Sequence, residues 1–280
     1  MKLHLLGTGT PILDATRPAS TAMLVELAGA NLLFDAGRGV TMQLLKQGKN
    51  PVELDAIFVT HHHYDHICDL GELIMGIWHN GRSHPLPIYG PTGTSAIIAA
   101  LLNHVFNRDI AFTQHLEPDV PNIQEIIQAT DITPGWSLNT DQWRISAEKM
   151  SHGDNLGLST AQWLCLGYRL EAAGKVLAIG GDTVACAGLH ELAQNADALV
   201  LSCYLAEAEV AALQFEEMAR HIIATSGQVG HMAAQANTQS LILTHFRPKT
   251  ADMMTSLAHD VRATFPGPIY IGEDLIVIEI

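Results

Sequence analysis

The chain is short of cysteine, of basic residues and of long apolar runs, and each shortage narrows what it can be. Its four cysteines, Cys68, Cys165, Cys186 and Cys203, are scattered, with no Cys-x-x-Cys pair. Neither a disulfide framework nor a thiolate zinc knuckle is indicated, and the four read as small buried hydrophobes. Apolar residues make up 48% of the 280, yet no run approaches the roughly 18 to 20 that a membrane helix requires. Met1-Lys2 leads into a strand-like stretch instead of a secretion signal, so no membrane partner is expected and the cytoplasm is the default location. Only 15 Lys and Arg face 29 Asp and Glu, a formal net charge of −14. Such a field repels polyanions, and tight tRNA or DNA binding draws on several Lys/Arg contacts to phosphate. A small-molecule ester and no nucleic-acid partner are therefore expected. No Pro/Ser-rich linker, charge block or low-complexity tract marks a boundary, so residues 1–280 read as a single hydrolase-sized domain.

What the chain does have is histidine, concentrated in Thr60-His61-His62-His63-Tyr64-Asp65-His66. The apolar run Asp55-Ala56-Ile57-Phe58-Val59 reads as a buried strand, which places these side chains on the loop leaving its carboxyl end. Imidazole nitrogen with carboxylate oxygen suits zinc, and also manganese or iron, better than magnesium or calcium. The spacing is too tight for one tetrahedral ion to use every ligand, so two ions sharing the loop are the economical reading. Further candidates recur at strand ends: His152 after Arg144–Met150, Asp182 after Lys175–Gly180, and His245 after Ser240–Thr244. Open α/β architectures collect functional groups at the carboxyl ends of strands.

With these residues in view, the chain resembles the metallo-β-lactamase-fold hydrolases, closest to the branch of ribonuclease Z, arylsulfatase-like enzymes and phosphodiesterases. Leu6-Gly7-Thr8-Gly9-Thr10-Pro11 resembles that branch's opening glycine turn, and Leu33-Phe34-Asp35-Ala36-Gly37 its second strand. Pro87-Ile88-Tyr89-Gly90-Pro91 and Leu166-Gly167-Tyr168-Arg169 match as well, so the likeness runs from Lys2 to Ile280. The resemblance implies an α/β, four-layer αβ/βα sandwich and two divalent ions. It implies that His61, His63 and His152 hold one ion, that Asp65, His66 and His245 hold the other, and that Asp182 bridges them. A homodimer is a further implication.

Three departures direct the choice within the family. Lactonases usually present their third histidine in Thr-Pro-Gly-His, whereas here it stands in Met150-Ser151-His152-Gly153-Asp154. Ribonuclease Z usually carries His-Glu-Ala-Thr where this chain has Leu201-Ser202-Cys203-Tyr204, and many bacterial members insert a tRNA-gripping arm where here only a strand pair separates His152 from Asp182. A tRNA 3′ endonuclease is accordingly disfavoured.

The expectation is a two-metal hydrolase of a phosphodiester or an aryl sulfate, in which the ions polarise the ester and generate hydroxide. Asp65 is the residue expected to steer the nucleophile. His221, whose placement before His245 resembles the family histidine that assists the leaving group, is the candidate proton donor. A lactonase or carboxylic esterase on the same ions, or a catalytically weak metal-binding or sensing protein, are the alternatives. Asp35 reads as a loop brace or a contact to a ligand histidine, and Gly7 and Gly9 as a turn that lets the backbone pass the metal loop. Helical spacing is expected over Leu73–Trp78 and Ile97–Val105, while 107–134 reads as irregular, a lid or a dimer element. Trp78, Phe106, Phe112 and Trp136 are expected either to roof an apolar pocket or to join the core.

Overall fold

Short, near-continuous apolar runs make strands with two buried faces, and a computed structural model describing residues 1–280 shows two sheets built largely this way. Strands β1 (Lys2–Gly7), β2 (Ala22–Leu27), β3 (Ala30–Phe34), β4 (Ala56–Phe58), β5 (Leu86–Gly90) and β6 (Ile127–Asp131) lie side by side in that order. The second sheet runs through β7 (Ser137–Asn139), β8 (Trp143–Met150), β9 (Cys165–Ala172), β10 (Lys175–Ile179), β11 (Ala198–Ser202), β12 (Leu241–Thr244) and β13 (Ile269–Ile271). Strand β14 (Val277–Glu279) returns to the first sheet beside β1. In each sheet antiparallel pairing gives way to parallel pairing, from β3 to β6 in one and from β10 to β13 in the other. The carboxyl ends of β4, β10 and β12 thus open on the same groove.

Three apolar layers separate four layers of structure. Between the sheets, Leu3, Met23, Phe34 and Phe58 meet Ile145, Tyr168, Leu177 and Ile242. The opposite faces of the same strands, carrying Leu24, Leu33 and Ile57, pack under α1 (Val40–Lys46), α2 (Tyr64–Ile67), α3 (Leu70–His79), α4 (Thr94–Ala100), α5 (Asn107–Leu116) and α6 (Ile123–Ile126). On the second sheet, Ala178, Leu199 and Leu243 are covered by α7 (Ala187–Ala193), α10 (Ser226–Gln235) and α11 (Ala251–Thr264), with the short helices α8 (Glu207–Leu213) and α9 (Glu216–His221) beside them. This is the αβ/βα sandwich. Each fully buried Leu, Ile or Phe contributes about 1.5–3 kcal/mol, and these layers hold the strand ends, and so the site, in register. No helix is long and apolar enough to cross a membrane.

The segment 107–134 differs from its expectation. It is not irregular but forms α5, α6 and the edge strand β6. Helix α5 buries only Ile110 and Thr113 and leaves Phe112 and Leu116 exposed, so its sequence lacks the apolar stripe that reveals a helix. The four aromatics do not roof a pocket together. Trp78 is in the core, donating its indole N–H to the Pro121 carbonyl at 2.8 Å, and Trp136 packs on Tyr89 between the sheets at 4.9 Å. Cys68, expected to be buried, is exposed.

Candidate metal centre

The loop after β4 turns back beneath the first sheet because Gly37 allows it. A Cβ there would lie 2.2 Å from the Asp65 carbonyl and 2.5 Å from Ser20 Oγ, so only glycine permits the close approach. Gly7 plays a different part from the one expected: its missing Cβ makes room for the Ser20 carbonyl, 1.9 Å away, rather than for the metal loop.

Seven side chains from both sheets converge. One nitrogen or oxygen from each of His61, His63, His152 and Asp182 lies within 4.8 Å of the others, and the same holds for Asp65, His66 and His245. His63 Nδ1 is 3.0 Å from His61 Nε2 and 3.2 Å from His152 Nε2. Donors of one tetrahedral ion, each about 2.0–2.1 Å from it, lie roughly 3.3 Å apart, so this spacing suits a shared cation. In the second group His245 Nε2 is 3.1 Å from Asp65 Oδ2. Asp182 Oδ2 stands between the groups, 3.4 Å from His245, 3.8 Å from His66 and 3.9 Å from His152. His66 Nε2 is fully buried with no hydrogen-bond partner, an orphan that a cation would satisfy. The residues fit a pair of divalent ions.

Polar neighbours fix the ring orientations. Asp35 accepts the His66 Nδ1–H at 2.7 Å and the Thr60 amide and hydroxyl at 2.7 and 2.8 Å. That hydroxyl in turn takes the His61 Nδ1–H at 3.0 Å, and His152 Nδ1–H donates to the Ile222 carbonyl at 2.5 Å. In each ring the other nitrogen is thereby left bare toward the cluster. Asp35 and His245 both sit in the left-handed region, at φ 58° and 59°, where a non-glycine residue costs of order 1–3 kcal/mol.

The electrostatics favour neutral rings at His61 and His63. Burial pushes His61 well below its ordinary value, and burial with the neighbouring His152 pushes His63 down to about 4. Burial opposes ionisation of Asp182, but the imidazoles of His245, His66 and His152 outweigh it and hold the carboxyl well below its usual range. Burial likewise opposes charge on His66, and Asp35 and Asp182 overcome it, raising His66 well above its ordinary value. Ser202 Oγ donates to Asp182 Oδ1 at 2.5 Å. Ser202, standing in the segment where ribonuclease Z usually carries His-Glu-Ala-Thr, thus braces the Asp182 carboxylate.

His221 is not brought into the cluster. Its half-exposed ring ends α9 with Nε2 3.7 Å from Glu217, while Ile222 and Ile223 line the cleft. His62 turns away to Thr94 Oγ1 at 2.8 Å. Two cleft residues escape any reading of local spacing. Trp163 packs on His63 with ring centroids 4.6 Å apart and donates its indole N–H to the His152 carbonyl at 2.7 Å. Tyr204 lines the cleft with its ring 5.8 Å from that of His245. Burial and the Asp182 and Asp65 carboxylates, against the pull of Arg247, push its phenol above the ordinary value.

The Beta-lactamase superfamily domain model matches residues 30–246. A ribonuclease Z of Mycobacterium sp. (strain KMS) is 31% identical over 100% of this chain and 96% of its own length, and one of Mycolicibacterium gilvum is 32% identical over 98% and 94%. Among solved structures, the metallo-β-lactamase fold protein YhfI of Bacillus subtilis has a TM-score of 0.74 at 22% identity, covering 99% of this chain and 98% of its own. The short form of human tRNase Z has a TM-score of 0.73 at 22% identity, covering 100% and 99%. The near full-length ribonuclease relatives overturn the small-ester expectation, which disfavoured a tRNA 3′ endonuclease and anticipated no nucleic acid. The argument from a missing arm fails because 284 aligned positions against a chain of 280 leave no space for a long insertion in the strain KMS relative either. The argument from net charge fails because charge sums over the whole surface, whereas phosphate is met by a few local groups. By its match across residues 30–246 and by these relatives, the chain belongs to the metallo-β-lactamase superfamily.

Proposed function

We propose that this metal-dependent hydrolase cleaves phosphodiester bonds in RNA, with precursor tRNA as substrate, in keeping with the relatives named ribonuclease Z. The observation that carries the reading is the complete set of seven donors, poised as two groups around Asp182, in a chain that those relatives match from end to end. His61, His63 and His152 would hold one ion, Asp65, His66 and His245 the other, and Asp182 both. Zinc suits the donor set best, with manganese or iron also compatible. When bound, such a pair of ions supplies Lewis acidity toward phosphoryl oxygens and lowers the pKa of a water molecule.

The chain's own groups orient the reaction. Asp65 lines the cleft and gives Oδ2 to His245, leaving Oδ1 with no protein partner and free to accept a proton of the attacking water. Trp163 excludes solvent from one side of the first group, and Met218, Ile222 and Ile223 from the other. Water exclusion strengthens every charge interaction inside. Because the donors come from both sheets, residues 1–280 act as one hydrolase domain in this reading. The test is incubation of zinc-loaded protein with a precursor tRNA carrying a 3′ trailer. Release of the trailer at enzymatic rates supports the proposal, and an intact precursor beside turnover of bis(p-nitrophenyl) phosphate refutes the RNA part of it.

A further inference from the structure

Every polar side chain lining the cleft is one of the seven donors, except Trp163, whose indole N–H is taken by the His152 carbonyl, and Tyr204. The rest of the wall is Pro11, Met218, Ile222 and Ile223, which offer a phosphate no hydrogen bond. A phosphoryl group held against the donors presents oxygens in several directions, and those that turn toward this wall must find a donor or lose their solvation. Leaving an anionic oxygen unpaired in such a place is costly.

The phenol of Tyr204 is built to be that donor. Its hydroxyl has no partner in the protein, while its ring packs on His245 and Arg247. The ring faces His245 on one side, centroids 5.8 Å apart, and the Arg247 guanidinium on another, with Cζ 5.6 Å from the ring centre. Lys249 Nζ donates to the Tyr204 carbonyl at 2.8 Å and is ion-paired with the buried Glu209, which pins the backbone. A hydroxyl that no protein group uses, on the wall facing the donor cluster, is available to a substrate.

We propose that Tyr204 is a catalytic residue whose O–H donates a hydrogen bond to an oxygen of the phosphoryl group seated over the seven donors. The assignment rests on the phosphodiesterase reading above. Arg247 acts through Tyr204 as a positioning residue, its guanidinium stacked on the Tyr204 and Phe215 rings.

Tyr204→Phe removes one oxygen and keeps the ring, its stacking and the fold. With zinc content equal to the wild type, it is expected to weaken binding of inorganic phosphate, read by calorimetry on the zinc-loaded protein, by roughly tenfold to a hundredfold, as loss of a hydrogen bond to a charged group does. The turnover number on bis(p-nitrophenyl) phosphate is expected to fall by a similar factor. Phosphate binding and turnover at wild-type levels in Tyr204→Phe would overturn the proposal, as would a wild type that binds no phosphate. A defect confined to Tyr204→Ala, with loss of zinc or of thermal stability while Tyr204→Phe is normal, would assign the ring to packing alone and overturn it too. Failure of the RNA reading is read separately, as wild-type hydrolysis of bis(p-nitrophenyl) phosphate without cleavage of precursor tRNA, and leaves the phosphate-binding comparison intact.

Discussion

His66 Nδ1 donates to Asp35 Oδ2 across 2.7 Å, with both side chains fully buried. The bond fixes the imidazole so that Nε2 faces Asp65 and Asp182, each 3.8 Å away. Asp35→Asn keeps the shape but sets an amide N–H against Thr60 or His66, which already donate to this side chain. Partners of this kind typically carry 10- to 100-fold in metal affinity. Equilibrium dialysis of the variant is expected to show such a loss for one ion per chain, with the other retained.

Asp182 is expected to couple the two groups. Asp182→Ala should lower occupancy of both ions, whereas His61→Ala should lower one, read by elemental analysis after dialysis. Because Ser202 Oγ braces Asp182 Oδ1, Ser202→Glu would place a second carboxylate against the first. Like charges at that distance repel, so the variant is expected to lose metal.

Two glycines give opposite expectations. Gly37→Ala drives a methyl into the Asp65 and Thr21 carbonyls, and overpacking of this kind costs about 1–3 kcal/mol. Gly76 lies inside α3 with nothing within 4 Å of a new Cβ, so Gly76→Ala should stabilise by about 0.5–1 kcal/mol. Urea unfolding of the two variants checks both signs.

His221→Ala separates the sequence reading from the structural one. A proton donor carries roughly 10²- to 10⁴-fold on poor leaving groups and little on nitrophenolate. Since the ring sits beside Glu217 and outside the cleft lining, the expected outcome is a small and equal change on both ester types. A large effect confined to poor leaving groups would restore the donor role.

The sandwich was legible only through the family resemblance carried by segments such as Leu6–Pro11 and Leu33–Gly37, whereas the ligand-bearing strand ends were legible locally, from Phe58 to His61 or from Leu243 to His245. Asp35 was legible as a brace for the same reason, standing at the end of β3. Helix α5 was not, since it buries too little to show a stripe. Trp163, Tyr204 and the Ser202–Asp182 bond depend on contacts between residues far apart in sequence, which spacing does not encode. Net charge pointed away from the ribonuclease relatives because a sum of −14 contains no information about where the charges stand.

The central claim, RNA cleavage at a two-ion centre, is tested most directly by titrating zinc into metal-free protein while following release of the 3′ trailer from precursor tRNA. Cleavage is expected to rise with added zinc and to level off at about two equivalents per chain, as two-metal catalysis requires. A plateau at one equivalent, or an intact precursor with both equivalents bound, would contradict it.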